Sequence, residues 1–336
     1  MARQSAELVH IIRGPQVECI HRGHVAIWHH DTGLAASWGL SGTTILPRSA
    51  CKMMQALPLV ESGAADAAGL STRHLALACA SHRGAAIHTD LVRDWLTEVG
   101  RTEADLRCGT QWPDDEAASR DLILKDETPD QRHNNCSGKH TGFLTLARHL
   151  RAGPEYLEID HPVQQGVRDV LGDLTGEACD RHAIDGCSAP NFALTLEGFA
   201  KALAAFAAAD GQGGARGSAM IRLREAMMTH PELVAGEGGA CTRLMRAMAG
   251  RAAIKTGAEG VYAAIIPERR MGVAVKIEDG ATRASQAVIA ELLVALGVLE
   301  ADHPEARALT HGPIRNRRGF ATGHMDVAPD LKAWRP

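Results

Sequence analysis

Apolar and polar positions change their period twice along this chain, and the changes divide it. Residues 16–39, "QVECIHRGHVAIWHHDTGLAASWG", read as two extended runs separated by "HDTG", which predicts an antiparallel hairpin. From "LPRSACKMMQALPLVESG" onward the apolar positions recur every three or four residues. Pro47 ahead of that run and Gly63 behind it frame a helix over about 49–61. The helical period persists through "HTDLVRDWLTEVG", "KHTGFLTLARHLRAG", "HPVQQGVRDVLGDL", "TLEGFAKALAAFAAADG", "GSAMIRLREAMMTHPELV" and "ACTRLMRAMAG". The glycine-rich stretch at 209–217 follows a helix rather than a strand, so it reads as a turn and not as a phosphate loop. Near residue 251 the period shortens again. "AAIKTG", "VYAAIIPERR" and "MGVAVKIEDG" predict strands, "RASQAVIAELLVALGVL" a helix, and "GPIRNRRGFATGHMDV" a loop with a last strand.

Strands at both ends with helices between them predict an α+β fold, in which N- and C-terminal strands build one antiparallel sheet. The sheet lobe would take residues of about 1–45 and 250–330, the helical lobe about 46–249, together forming a single catalytic unit of 336 residues.

Composition narrows the function classes. Hydrophobic residues make up 45% and aromatic residues only 4%, so a core of closely packed, alanine-rich helices is expected. A formal net charge of -4, with "IRNRRG" as the densest basic run, excludes a nucleic-acid footprint. The most apolar segments fall short of a membrane span and the N-terminus has no export signal pattern, so a cytoplasmic protein is expected. Eight cysteines lie scattered with no CxxC pair, which leaves free thiols, or a metal site assembled from distant segments.

The candidate chemistry sits in five short stretches. Ser49 and Lys52 stand one helical turn apart, a spacing that lets an amine take a proton from a serine hydroxyl. Such a tetrapeptide is common by chance. Lys255-Thr256-Gly257 on a strand near the C-terminus, with Ser81 in a small-residue turn between the two motifs, reproduces the motif order of penicillin-recognising serine enzymes. The residues "SHR" stand where that group carries serine-x-asparagine, which argues against a β-lactam substrate. "RHNNCSGKHTGF" and "AIDGCSAPNFAL" each place a cysteine in a polar loop: Cys136 with Lys139 and His140, and Cys187 with Asp185. Two thiolates from separate loops could hold zinc, and buried free thiols are the competing reading.

Six ordered stretches, "PRSACKMMQALPLVESGAADAAGL", "ALACASHRGAAIHTD", "HNNCSGKHTGFL", "HPVQQGVRDVL", "IDGCSAPNFALTL" and "KTGAEGVYAA", resemble the motifs of the rhizobial-type, or class 3, L-asparaginases over nearly the whole chain. The resemblance implies a serine β-lactamase-like fold, a homodimer, and hydrolysis of L-asparagine to L-aspartate and ammonia. It implies two Ser-Lys tandems, Ser49 with Lys52 and Ser81 with Lys255, and Asp185 matches an aspartate of its motif that is a substrate-binding candidate; Arg48, beside the candidate nucleophile, is a candidate for the substrate α-carboxylate, with an ordinary surface arginine as the competing reading. The resemblance also implies a zinc site of Cys136, Lys139 and Cys187 that tunes affinity without supplying the attacking water. Glutamine hydrolysis or β-lactam recognition are the alternatives to asparagine hydrolysis.

Overall fold

The computed structural model describes residues 5–336. The chain forms two compact units. One holds the stretch up to Ala50, Leu194–Ala208 and Arg243–Pro336; the other holds Cys51–Ala193 and Ala209–Thr242.

The first unit is built on an eight-stranded antiparallel sheet: β1 Ala6–Arg13, β2 Gln16–His29, β3 Gly33–Trp38, β4 Ala253–Thr256, β5 Val261–Ile266, β6 Met271–Ile277, β7 Pro313–Arg315 and β8 Ala321–Val327. Their order is β7-β8-β1-β2-β6-β5-β4, with β3 also paired to β2 as the expected hairpin. N- and C-terminal strands therefore interleave: Ile11 pairs with Met325, and Ala26 with Ala274. Every residue of β5 is buried, which requires cover on both faces. Two helices contact β5, Leu196–Ala207 and Thr282–Ala295.

The sequence pattern assigned 196–207 to the helical lobe, and the structure groups it with the sheet. Leu196, Phe199, Ala200, Leu203 and Phe206 are all fully buried, and the helix contacts β2 and β6 as well as β5. Its apolar stripe is broad because it covers a sheet, and periodicity alone does not say what a stripe faces. Strand β1 was not anticipated either, although Leu8, Val9 and Ile11 are buried in it. The last stretch forms a hairpin, with β7 as the short partner of β8.

The second unit is helical, with Ala86–Glu98, Ser137–His149, Pro162–Thr175 and Gly214–Thr229 as its long elements. The helix expected over 49–61 is in three pieces: a 3-10 turn Arg48–Cys51, then Lys52–Gln55, then Leu57–Glu61. Pro58 lacks the N–H that would reach back to Met54, so the helix restarts with the proline in its first turn. Pro231 breaks the expected helix over 217–234 in the same way, at His230. Among the described residues no helix is long and apolar enough to cross a membrane.

Candidate active site

In the sheet unit, β4 ends in Lys255-Thr256-Gly257. The Gly257 N–H donates to the Val261 carbonyl at 2.8 Å and turns the chain into β5. A Cβ on Gly257 would stand 2.7 Å from the Pro47 oxygen and 3.2 Å from the Ala50 Cβ. Only glycine, then, lets the strand end lie against the turn that carries Ser49. Arg48 holds a φ of +51°, in the left-handed region where a long side chain is strained. Such strain persists where the surroundings over-determine the backbone, and Ser49, half-buried, is the next residue. Lys255 is fully buried, and its Nζ donates to the Thr256 carbonyl at 2.8 Å.

In the helical unit Lys52 is 1% exposed. Its Nζ donates to the carbonyl oxygens of Ala80 and, at 3.5 Å, Asn135, and lies 3.1 Å from Ser81 Oγ. Two carbonyls can only accept, so they take two N–H bonds and leave the third contact to the hydroxyl. A protonated amine donates to Ser81 there; a neutral one presents its lone pair to the Ser81 proton. Ser81 is fixed in turn by its own N–H, which donates to the Val234 carbonyl at 2.9 Å.

His82 follows directly and is fully buried. Its Nδ1 accepts from the Gly84 N–H at 3.1 Å, so Nε2 carries the proton and donates to Ser137 Oγ at 2.8 Å. The ring stacks on His88 with centroids 4.7 Å apart and planes within 9°. Burial pushes both imidazoles down, His82 well below the ordinary histidine range. In the unfolded chain both protonate near pH 6.5, whereas the folded chain resists. Their contribution to stability is therefore complete above pH 6.5 and is lost as pH falls from there toward the folded values. The expected slope approaches about 1.4 kcal/mol per pH unit for each ring kept neutral. Denaturant midpoints at pH 7.5, 6.5 and 5.5 test this, and a flat profile would contradict it.

Cys136 and Lys139 lie at the start of the helix Ser137–His149, and Cys187 follows the tight turn at Asp185, where the Ser188 N–H donates to the Asp185 carbonyl at 2.8 Å. Lys139 Nζ is 3.2 Å from Cys187 Sγ, and all three side chains are buried. The Cys187 thiol is pulled down to about 4, first by the hydrogen bond from Cys136 and then, against burial, by the Lys139 charge. Cys136 is pushed up to about 12 by that same hydrogen bond and by burial. Burial disfavours the Lys139 ammonium, but the charges of Cys187, Cys136 and Asp185 hold it above the ordinary lysine range. Cys187 and Lys139 thus favour each other's charged forms, and Cys136 is the harder of the two thiols to deprotonate. Asp185 acts electrostatically on this cluster.

Close helix packing brings Lys139 to this place. A Cβ on Gly138 would stand 2.3 Å from the Leu77 carbonyl oxygen, so the glycine lets the helix Ser137–His149 abut the end of Thr72–Ala78, just before the Ser81 turn. Three residues around these groups went unnoticed in the sequence. His82 counted only as a departure from serine-x-asparagine, Asn135 as loop, and Cys51, pushed up to about 12 by burial and sensing Lys139 and Asp185, as one scattered thiol. Among the described residues no group of three or more His, Cys, Asp or Glu could hold a metal ion; the cluster has two such side chains and a lysine.

The L-asparaginase II family profile matches residues 9–327. Comparison with curated proteins finds no match. Among solved structures, Mglu in its native form is 12% identical with a TM-score of 0.44, over 84% of this chain and 66% of that one. Mglu in its tris and glutamate form is 14% identical with a TM-score of 0.45, over 84% and 60%. A β-lactamase from Mycobacterium bovis is 12% identical with a TM-score of 0.47, over 82% and 95%. The chain spans less than two thirds of the length of either Mglu structure.

Proposed function

Because the chain belongs to the L-asparaginase II family, we propose that it hydrolyses L-asparagine to L-aspartate and ammonia through a serine acyl-enzyme. The observation that supports this chemistry is the Lys52 amine, buried, held by two carbonyls and 3.1 Å from Ser81 Oγ. In this reading Ser49 attacks the side-chain amide carbon and its proton passes to Lys52, three residues on, although the hydroxyl that the Lys52 amine contacts in the structure is that of Ser81 and not of Ser49. Ser81 passes a proton to the departing ammonia, so the C–N bond breaks as the serine ester forms. Water then attacks the ester, gives its proton to the same groups, and releases aspartate. In this reading Lys255 is the lysine of the second Ser-Lys tandem, Arg48 takes the substrate α-carboxylate, and Asp185 takes the α-amino group. The protein works as a homodimer in this reading, which sedimentation checks.

Ammonia release from L-asparagine and from L-glutamine, by the wild type and by Ser49→Ala, tests the proposal. Release selective for asparagine is expected, falling by at least about 10³-fold in the variant. A hydrophobic pocket separates two amides differing by one methylene by only roughly 10- to 200-fold, so some glutamine turnover is compatible. No release from either amide by folded protein would overturn the assignment.

Zinc belongs to the same proposal. Cys136, Lys139 and Cys187 offer two sulfurs and a nitrogen, a donor set that suits this borderline-soft cation, and the Cys187 thiol is the readier of the two to lose its proton. When bound there, the cation supplies fixed positive charge beside the Asp185 loop. Binding must displace a proton from Cys136 and one from Lys139, so affinity is expected to weaken as pH falls. Without metal the charged forms of Cys187 and Lys139 offset each other. Chelation is therefore expected to raise KM several-fold while the melting temperature stays within a few degrees. Unfolding on chelation would instead make the metal structural.

A further inference from the structure

We propose that His82 is a positioning residue that aligns the Ser81 hydroxyl with the Lys52 amine by tying the Ser81 turn to the helix Ser137–His149. The inference rests on the reading of Ser81 given above and adds a residue to it.

Two backbone contacts hold the Ser81 turn. The Ser81 N–H goes to Val234, and the His82 N–H goes to the Asn135 carbonyl at 3.2 Å, the same oxygen that accepts from Lys52. The His82 ring stands between these two anchors and is joined to both. Through Nε2 it donates to Ser137 Oγ, and Ser137 donates onward to the Arg132 carbonyl at 2.9 Å, which fixes the segment holding Asn135. Through its stacked partner it reaches the other anchor, because His88 Nε2 is 3.0 Å from the Glu232 carbonyl, two residues before Val234. The ring therefore sets the separation between the segment that holds Ser81 and the segment that holds Lys52. A displacement of about 1 Å at a reacting group can cost roughly 10²-fold in rate.

The two ring nitrogens make separable contacts, and that supplies the test. The amide of Gln reaches about as far as Nε2 and can still donate to Ser137. The amide of Asn reaches only as far as Nδ1, and can keep the Gly84 contact while losing Ser137. In the wild-type protein, His82→Gln is expected to hold kcat within a few-fold, and His82→Asn to lower it by about 10- to 100-fold with KM unchanged. Ser137→Ala removes the acceptor and leaves the ring in place. It is expected to match His82→Asn, and the double variant to be no slower than either single one. Asn and Gln variants that fall alike, or that shift only the melting temperature, would overturn the inference. Ser81→Ala separates the two levels. If it keeps the wild-type rate, the reading of Ser81 fails and this inference with it. If it is inactive while His82→Asn and Ser137→Ala are not impaired, only the inference fails.

Discussion

Lys52→Met is expected to lower kcat for asparagine roughly 10²- to 10⁴-fold, the range for losing a positioned general base, with KM changed little. Methionine fills most of the buried volume, so the loss comes from the amine. The substitution leaves the Ala80 carbonyl without the Lys52 donor, while the Asn135 carbonyl keeps the His82 N–H, at a cost of about 1–3 kcal/mol for the one buried acceptor left unsatisfied. The variant should melt earlier and still fold. Single-turnover ammonia release together with circular dichroism separates the two effects. A folded Lys52→Met protein within tenfold of the wild-type rate would remove Lys52 from the chemistry.

Gly138→Ala carries the largest expected effect on stability. By helix propensity alone, alanine is better than glycine by roughly 0.5–1 kcal/mol in a helix. Here the added methyl would enter the Leu77 backbone, 2.3 Å from the carbonyl oxygen and 2.6 Å from the side-chain Cγ. Overpacking of this kind typically costs about 1–3 kcal/mol and occasionally more, and the contact is with backbone that cannot swing aside. A fall of several degrees in melting temperature is expected. Activity should fall with it, because the displaced helix carries Ser137 and Lys139. Gly153→Ala is the control, since nothing lies within 4 Å of its Cβ position. Equal melting temperatures for the two variants would refute the packing argument.

The hairpin Gln16–Trp38 and the C-terminal strands were legible as apolar runs bounded by turn residues, and most long helices by apolar positions recurring every three or four residues. The broken helix at Pro58 was visible only as a proline. A proline at that place is compatible with a kink, a break or a first turn, and tertiary packing decides among them. The three candidate metal donors were legible as loop residues beside glycine and serine. What the pattern could not give was that Lys52 shares the Asn135 carbonyl with His82, for such bonds join residues more than fifty positions apart. His82 itself was hidden by being read as a mismatch. A buried histidine with both nitrogens engaged has no signature in a linear sequence, because its partners, Ser137 at a helix start and Gly84 in a loop, are residue types common at such places.

The sheet order also has a kinetic consequence. β1 lies between β2, its neighbour in the chain, and β8, more than three hundred positions further on, so its second edge stays open until that distant strand arrives. Pairings this remote demand the loop-closure entropy before any contact compensates for it, which slows folding. During that interval the edge of β1, with Val9 and Ile11 uncovered, is a template for strands of other chains. Overexpressed protein should therefore gain more soluble yield from a lowered expression level, which thins out the partner chains, than its ordinary composition would suggest.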